Sequence, residues 1–173
     1  FLKEVERRVK QASSLLIVDE VLTGFGRTGS LFAFQKANIK PDLIALSKGL
    51  TSGFLPMGVT MVREEIFKAF IGDDPRLTLW HGHSFTANPL GCAAANASLD
   101  LLEKNPNIYL KFEEKHLPHL QSISKNKKVK RLRVTGTIAA FDIETGTESS
   151  YLNNIGKVLK AKVLEHGVFI RPL

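Results

Sequence analysis

A carboxylate, Asp19, and a primary amine, Lys48, each follow a short apolar run, and 29 positions separate them. The first run is Leu15-Leu16-Ile17-Val18, ahead of Asp19-Glu20. The second is Leu43-Ile44-Ala45-Leu46-Ser47, ahead of Lys48-Gly49. Continuous apolar runs of this length read as buried parallel strands, and ligands in open α/β sheets bind beyond the carboxyl ends of such strands. An amine and an acid delivered to neighbouring strand ends suit a particular chemistry. The amine can condense with a carbonyl as a Schiff base, and the acid can hold a pyridinium nitrogen protonated. Those are the two requirements of a pyridoxal phosphate site.

The elements that must position this pair can be read around it. Leu2, Val5, Val9 and Ala12 fall on one face of a helix over residues 2–12. A strand at 15–19 leads into the glycine-rich loop Gly24-Phe25-Gly26-Arg27-Thr28-Gly29, and Pro41-Asp42 marks the entry to a strand at 43–47. A loop at 51–56 precedes a strand at 57–62, and residues 64–70 suit a short helix. His81-Gly82-His83-Ser84-Phe85 reads as a loop, after which Asn88-Pro89 opens a small-residue helix to about Glu103, with proline in the first turn. Asn105-Pro106-Asn107 breaks the composition. A charged helix (107–124), a strand over 136–143, a helix over 153–165 and a last strand at Val168-Phe169-Ile170 follow. The expected class is α/β: part of a mostly parallel sheet with helices on both faces, then a small α+β region.

Other readings of the same residues carry less. Gly24, Gly26 and Gly29 fit the dinucleotide-binding string, but Leu31-Phe32-Ala33-Phe34 follows them, and Lys48-Gly49 occupies the region where a ribose-binding acid belongs. Leu15 to Glu20 also looks like the metal-binding strand of an ATPase, a reading that needs a phosphate loop ahead of it; none is present in these residues. For Asp19 alone, a strand-end carboxylate with a purely structural part stays open. His81 and His83 lack nearby cysteine or acid for a zinc site, so no metal is expected. His116 and His119 share a helical face and read as an exposed pair.

The 173 residues suffice for one ordinary domain, and 43% apolar with 24% charged residues is ordinary for a globular chain. No run approaches the length of a membrane helix, and no secretion signal opens the chain. One cysteine, Cys92, excludes an internal disulfide and fits a reducing cytoplasm; in an alanine-rich stretch it reads as a buried small hydrophobe. The net charge of +7 lies mostly beyond residue 105, where 12 Lys and Arg face 6 Asp and Glu, against 12 and 11 before it. Its focus is Lys125 to Arg133. A nucleic-acid-binding patch is the non-enzymatic alternative for that run, but no aromatic residue interleaves with the charges, and a solvated approach to a strand is the preferred reading. Phe1 at one end and Arg171-Pro172-Leu173 at the other give the chain the look of a piece cut from something longer.

Three ordered strings, LLIVDEVLTGFGRTG, PDLIALSKGLTSGFLPMGV and HGHSFTANPLGCAAANASL, together resemble the class III, fold-type I aminotransferases, with weaker echoes in GTIAAFDIE and HGVFIRPL. The resemblance implies a pyridoxal 5'-phosphate-dependent transaminase that works as a homodimer with its site shared across the interface. It divides the chain into the second half of a cofactor-binding domain (1–105) and a truncated C-terminal small domain (106–173). It implies that an isolated chain of these residues is inactive, because the family's phosphate-cradling loop and ring-stacking aromatic fall outside the matched strings. By the same resemblance, Lys48 is the Schiff-base lysine, Asp19 pairs with the ring nitrogen, Val21 packs on the ring face, and Glu20 supports the site from behind. Ser84 binds cofactor phosphate in the partner subunit, with a turn-capping serine as the bland alternative. Arg171 and Gly82 bind substrate, and His83 stands where some relatives carry proline. Arg27 matches a family arginine, and both a substrate role and a loop ion pair stay open for it. The strings lean toward the biotin-pathway branch, which implies S-adenosylmethionine as amino donor and 8-amino-7-oxononanoate as acceptor. Ornithine, acetylornithine or 4-aminobutyrate types are the alternatives.

Overall fold

The computed structural model describes residues 1–144, 146 and 155–170. Helix α1 (Leu2–Gln11) is laced on its outer face by Glu4 with Arg7 and Arg8, at 2.6 and 2.8 Å, and by Glu6 with Lys10 at 2.8 Å. Glu6 also accepts the Lys40 amide at 2.9 Å, which ties α1 to the approach to the second strand. Strands β1 (Ile17–Asp19) and β2 (Leu43–Leu46) pair in parallel, and β3 (Val59–Val62) returns antiparallel to β2, giving the order β1-β2-β3. Between β1 and β2 lies the short α2 (Ala33–Ala37); α3 (Glu64–Lys68) follows β3.

Asp42 joins the three strands at one end. Its Oδ2 accepts the Leu16 amide at 2.7 Å, and its own amide donates to the Leu16 carbonyl at 2.8 Å. The Arg63 amide donates to the Asp42 carbonyl at 3.1 Å, and the Arg63 guanidinium pairs with Oδ1 at 2.9 Å. Asp42 therefore fixes the register from which both strands run toward their carboxyl ends.

Helix α4 (Pro89–Lys104) starts as the sequence leads one to expect, with Asn88 Oδ1 accepting the Gly91 amide at 2.7 Å and Pro89 in the first turn. Its buried residues are Gly91, Ala95 and Ser98, the i, i+4, i+7 stripe of an inward face. With Ile39, Leu46 and Leu50, Ala95 makes up the fully buried apolar set of this region. Cys92, on the same helix, is half-buried. The apolar runs expected to be buried strands are only partly covered. In the first, Leu15 is 59% and Ile17 65% exposed, whereas Leu46 of the second is buried. Every residue of β3, for which no burial was expected, is exposed as well.

The described residues gather into two compact units: Phe1–His119 with Val134–Ala139, and Leu120–Arg133 with those from Ala140 onward. Helix α5 (Phe112–Ser124) and the two-stranded sheet of β4 (Val129–Thr135) and β5 (Ile138–Ile143) contribute to both. β4 corrects the reading of the basic run as a mere approach to a strand. Arg131, at φ 47°, interrupts the alternation, so that Val129 and Leu132, three apart, are both half-buried. Its charges meet carboxylates: Arg133 pairs with Asp142 at 3.2 Å, Lys130 with Glu144 at 3.5 Å, and Arg131 also pairs with Asp142. Helix α6 (Ile155–Glu165) matches the expected helix where the two can be compared. The strand expected at Val168-Phe169-Ile170 is absent, since no described strand pairs with it. No described helix is long and apolar enough to cross a membrane.

Candidate functional site

Parallel pairing sets Asp19 opposite Ala45, and Lys48 lies three residues beyond Ala45. The acid and the amine therefore leave the sheet at the same end, the one where ligands bind in open α/β sheets. Asp19 is exposed. Its Oδ1 accepts the amide of the half-buried Val21 at 2.9 Å, which folds the chain back at the strand end.

The neighbouring carboxylate has the opposite environment. Glu20 is 1% exposed and fully served: it accepts the Thr23 hydroxyl at 2.5 Å and the Phe34 amide at 2.8 Å. Its backbone is also engaged, with its amide on Ala45 O at 2.9 Å and its carbonyl accepting from Gly24 N at 3.0 Å. A buried carboxylate needs such partners, and these pin both ends of the glycine-rich loop beneath the sheet end. Side by side in sequence, the two acids divide the work: Asp19 faces outward and Glu20 holds the loop.

Lys48 sits in a run of tight turns. Leu50 N donates to Ser47 O at 2.7 Å, Ser52 N to Gly49 O at 3.1 Å, and Gly53 N to Lys48 O at 3.2 Å. Ser47 Oγ reaches Met57 O at 2.7 Å, locking the start of the turn to the chain that returns into β3. The buried Ser98 of α4 bonds Ser52 Oγ at 2.8 Å and approaches Gly49 O at 3.5 Å. Gly49 is required by close approach: a Cβ there would come within 2.8 Å of the Phe25 Cβ and ring. Phe25 itself is held at φ 58°, with its ring edge-on to Phe32 at 5.7 Å. The glycine-rich loop and the lysine turn are thus packed directly together.

Between them opens a cleft of about 300 Å³, whose walls include Lys48, Gly49, Ser52, Arg27, Phe112 and Thr137. Lys48 is exposed, and among the described residues no carboxylate pairs with it or with Arg27. For Arg27 this sets aside the loop ion pair among the described residues. Its guanidinium instead reaches the Thr137 hydroxyl at 3.4 Å. Asp19 and Val21 share the sheet end but are not among the walls of this cleft. Gly82 and Ser84 lie in an exposed loop outside it, where His83 organises the turn by accepting the Thr86 amide on its carbonyl and the Phe85 amide on its ring Nδ1. Arg171 lies outside the described residues.

Ser98, Phe25 and Thr137 are the contributors that sequence reasoning missed. Ser98 carried a readable signal, a polar residue seven positions after Gly91 on the same helical stripe. Phe25 and Thr137 carried none, since their parts depend on backbone curvature and on a contact across more than a hundred residues.

The family model "Aminotransferase class-III" matches residues 1–173. An adenosylmethionine-8-amino-7-oxononanoate aminotransferase of Synechococcus elongatus is 50% identical over all of this chain and 41% of its own length; one of Geobacter sulfurreducens is 39% identical over all of this chain and 40% of its length. The crystal structure of the Methanocaldococcus jannaschii protein of that name superposes with a TM-score of 0.85 at 34% identity, covering 99% of this chain and 42% of that one. The chain spans about 40% of the length of the curated relatives it matches.

Proposed function

We propose, given that the chain belongs to the class-III aminotransferases, that the protein carrying it moves an amino group from S-adenosylmethionine to 8-amino-7-oxononanoate, a step of biotin biosynthesis. One observation carries the reading: parallel register delivers an acid and an amine to one sheet end, in a family whose chemistry uses that pair. Relatives of that name at up to 50% identity support the choice of substrates.

Pyridoxal phosphate suits the residues present. Lys48 offers a primary amine in an open cleft with no carboxylate among the described residues to neutralise it, and Asp19 offers an exposed carboxylate at the same sheet end. When bound, the cofactor supplies an electron sink for charge developing at the substrate carbon. Lys48 holds it through Nζ, and the same Nζ, when free, moves a proton at the substrate carbon. Asp19 holds the proton on the ring nitrogen, and Val21 covers the ring face. Arg27 and Arg171 are the cationic groups for a substrate carboxylate, since a planar guanidinium makes paired bonds to it. Gly82 leaves room beside the substrate, and Ser84 serves the phosphate of a second subunit. The protein is a homodimer of cytoplasmic location, and residues 1–105 and 106–173 belong to its cofactor-binding and small domains.

The test is a half-reaction of the intact protein, followed by cofactor absorbance with each donor in turn. Conversion by S-adenosylmethionine and not by ornithine or 4-aminobutyrate is expected. Conversion by either of those alone would move the protein to a sister branch; no conversion by any donor would overturn the transaminase reading.

A further inference from the structure

We propose that Thr137 is a positioning residue for the Arg27 guanidinium, and that it thereby sets how tightly the cleft holds a carboxylate-bearing substrate. The proposal rests on the aminotransferase reading of this cleft. Thr137 lies in the turn between β4 and β5, far in sequence from Arg27, yet both line the cleft with Lys48. The turn is seated on the backbone of residues 27–29 with no slack. A Cβ on Gly136, which sits at φ +57°, would lie 2.3 Å from Gly29 N and 2.4 Å from Arg27 O. Those are backbone atoms that cannot swing aside.

Four polar contacts keep the turn in place. Thr137 N donates to Arg27 O at 2.9 Å, Thr135 Oγ1 to Thr28 O at 3.3 Å, Gly136 N to Glu113 Oε1 at 2.8 Å, and Lys36 Nζ to Thr135 Oγ1 at 2.9 Å. Lys36 in turn stands 3.5 Å from Glu113, so the two anchoring charges balance each other rather than drawing on Arg27.

With the turn fixed by these contacts, the Thr137 hydroxyl has a separate part. It donates to Arg27 O at 3.2 Å and can accept from Arg27 Nη1 at 3.4 Å, a combination open to a group with one O–H and free lone pairs. One side chain therefore brackets both ends of the same arginine. An exposed arginine with no described carboxylate partner samples many rotamers, and ordering it on substrate binding costs affinity. A hydroxyl that holds the guanidinium beforehand lowers that cost. Valine at 137 has nearly the same shape and keeps the amide bond to Arg27 O, so Thr137→Val removes the hydroxyl contacts alone.

In the intact protein, Thr137→Val is expected to raise KM for a carboxylate-bearing donor about three- to tenfold, the worth of one modest hydrogen bond, with a smaller fall in kcat. The melting temperature is expected to stay within about 2 °C of wild type, and Thr137→Ser to restore KM. Should the valine protein fail to fold, Thr137→Ala carries the same comparison. An unchanged KM overturns the proposal. So does a rise in KM that serine fails to reverse, or one that tracks a loss of thermal stability, since either marks a structural part only. Absence of transamination by the wild-type protein is a different failure: it removes the aminotransferase reading, and this proposal with it.

Discussion

The two ends of the short sheet treat charge in opposite ways. At the amino end of β1 and β2, Asp42 is saturated: a backbone amide on one oxygen, a guanidinium on the other. The Leu16 amide, opposed by partial burial and helped by Arg63, holds its carboxyl below the ordinary 3.8. At the carboxyl end, among the described residues, Asp19 meets only the amide two residues on, and Lys48 and Arg27 face a cleft without a carboxylate partner. The strands are the same, so the contrast lies in what surrounds each end. One end sinks its charge into the chain's own backbone and gains a fixed register. The other leaves its charges exposed and without an ion-pair partner among the described residues.

Three substitutions in the intact protein can break this contrast, the largest effect first. Lys48→Ala is expected to abolish turnover and the borohydride-reducible attachment of pyridoxal phosphate, while stability moves by no more than about 0.5 kcal/mol, as for an exposed side chain. Mass spectrometry of the reduced protein locates the attachment, and a reducible adduct on another lysine would refute the assignment. Asp19→Asn is expected to lower kcat on the order of a hundredfold, comparable to losing one electrostatic contact in an active site, with the fold retained by circular dichroism. Near-wild-type rates would return Asp19 to a structural part.

Asp42→Ala reverses the pattern, costing stability rather than catalysis: about 1–2 kcal/mol for a backbone amide left without its partner. Its folded-state pKa is lowered, so the stabilisation is fully present above the unfolded value near 3.8 and is lost as pH falls through the lower folded value. Denaturant melts between pH 3 and 7 should show a steeper acid limb in wild type than in the variant. Parallel acid limbs would mean that Asp42 does not provide this stabilisation.

How much of this could be read from the residues depends on the range of the interaction. The placement of Asp19 and Lys48 at one sheet end was legible because apolar runs, strand ends and turn signals are local, and the Asn88-Pro89 helix start was legible for the same reason. Burial of β1 was misjudged, because an apolar run reports what a strand can bury, not what lies over it. β4 was missed because three of its seven residues are lysine or arginine, and the carboxylates that receive them, Asp142 and Glu144, come from the far side of a turn. Arg27 could not be assigned from sequence at all. Whether a loop arginine meets an acid or a threonine is decided by a partner 110 positions away.

The parallel register also bears on where the chain can tolerate a change of length. A residue gained or lost between Asp42 and Lys48 shifts the amine relative to Asp19 by about 3.3 Å, one strand step, and turns each intervening side chain to the other face of the sheet. A residue gained within 35–40, after the loop that Glu20 pins and before the Asp42 clasp, leaves both strand ends where they are. Viable insertions and deletions should therefore cluster in that connecting segment and be missing from the four-residue strand beside it, a pattern that a length-scanning library of the intact protein would display directly.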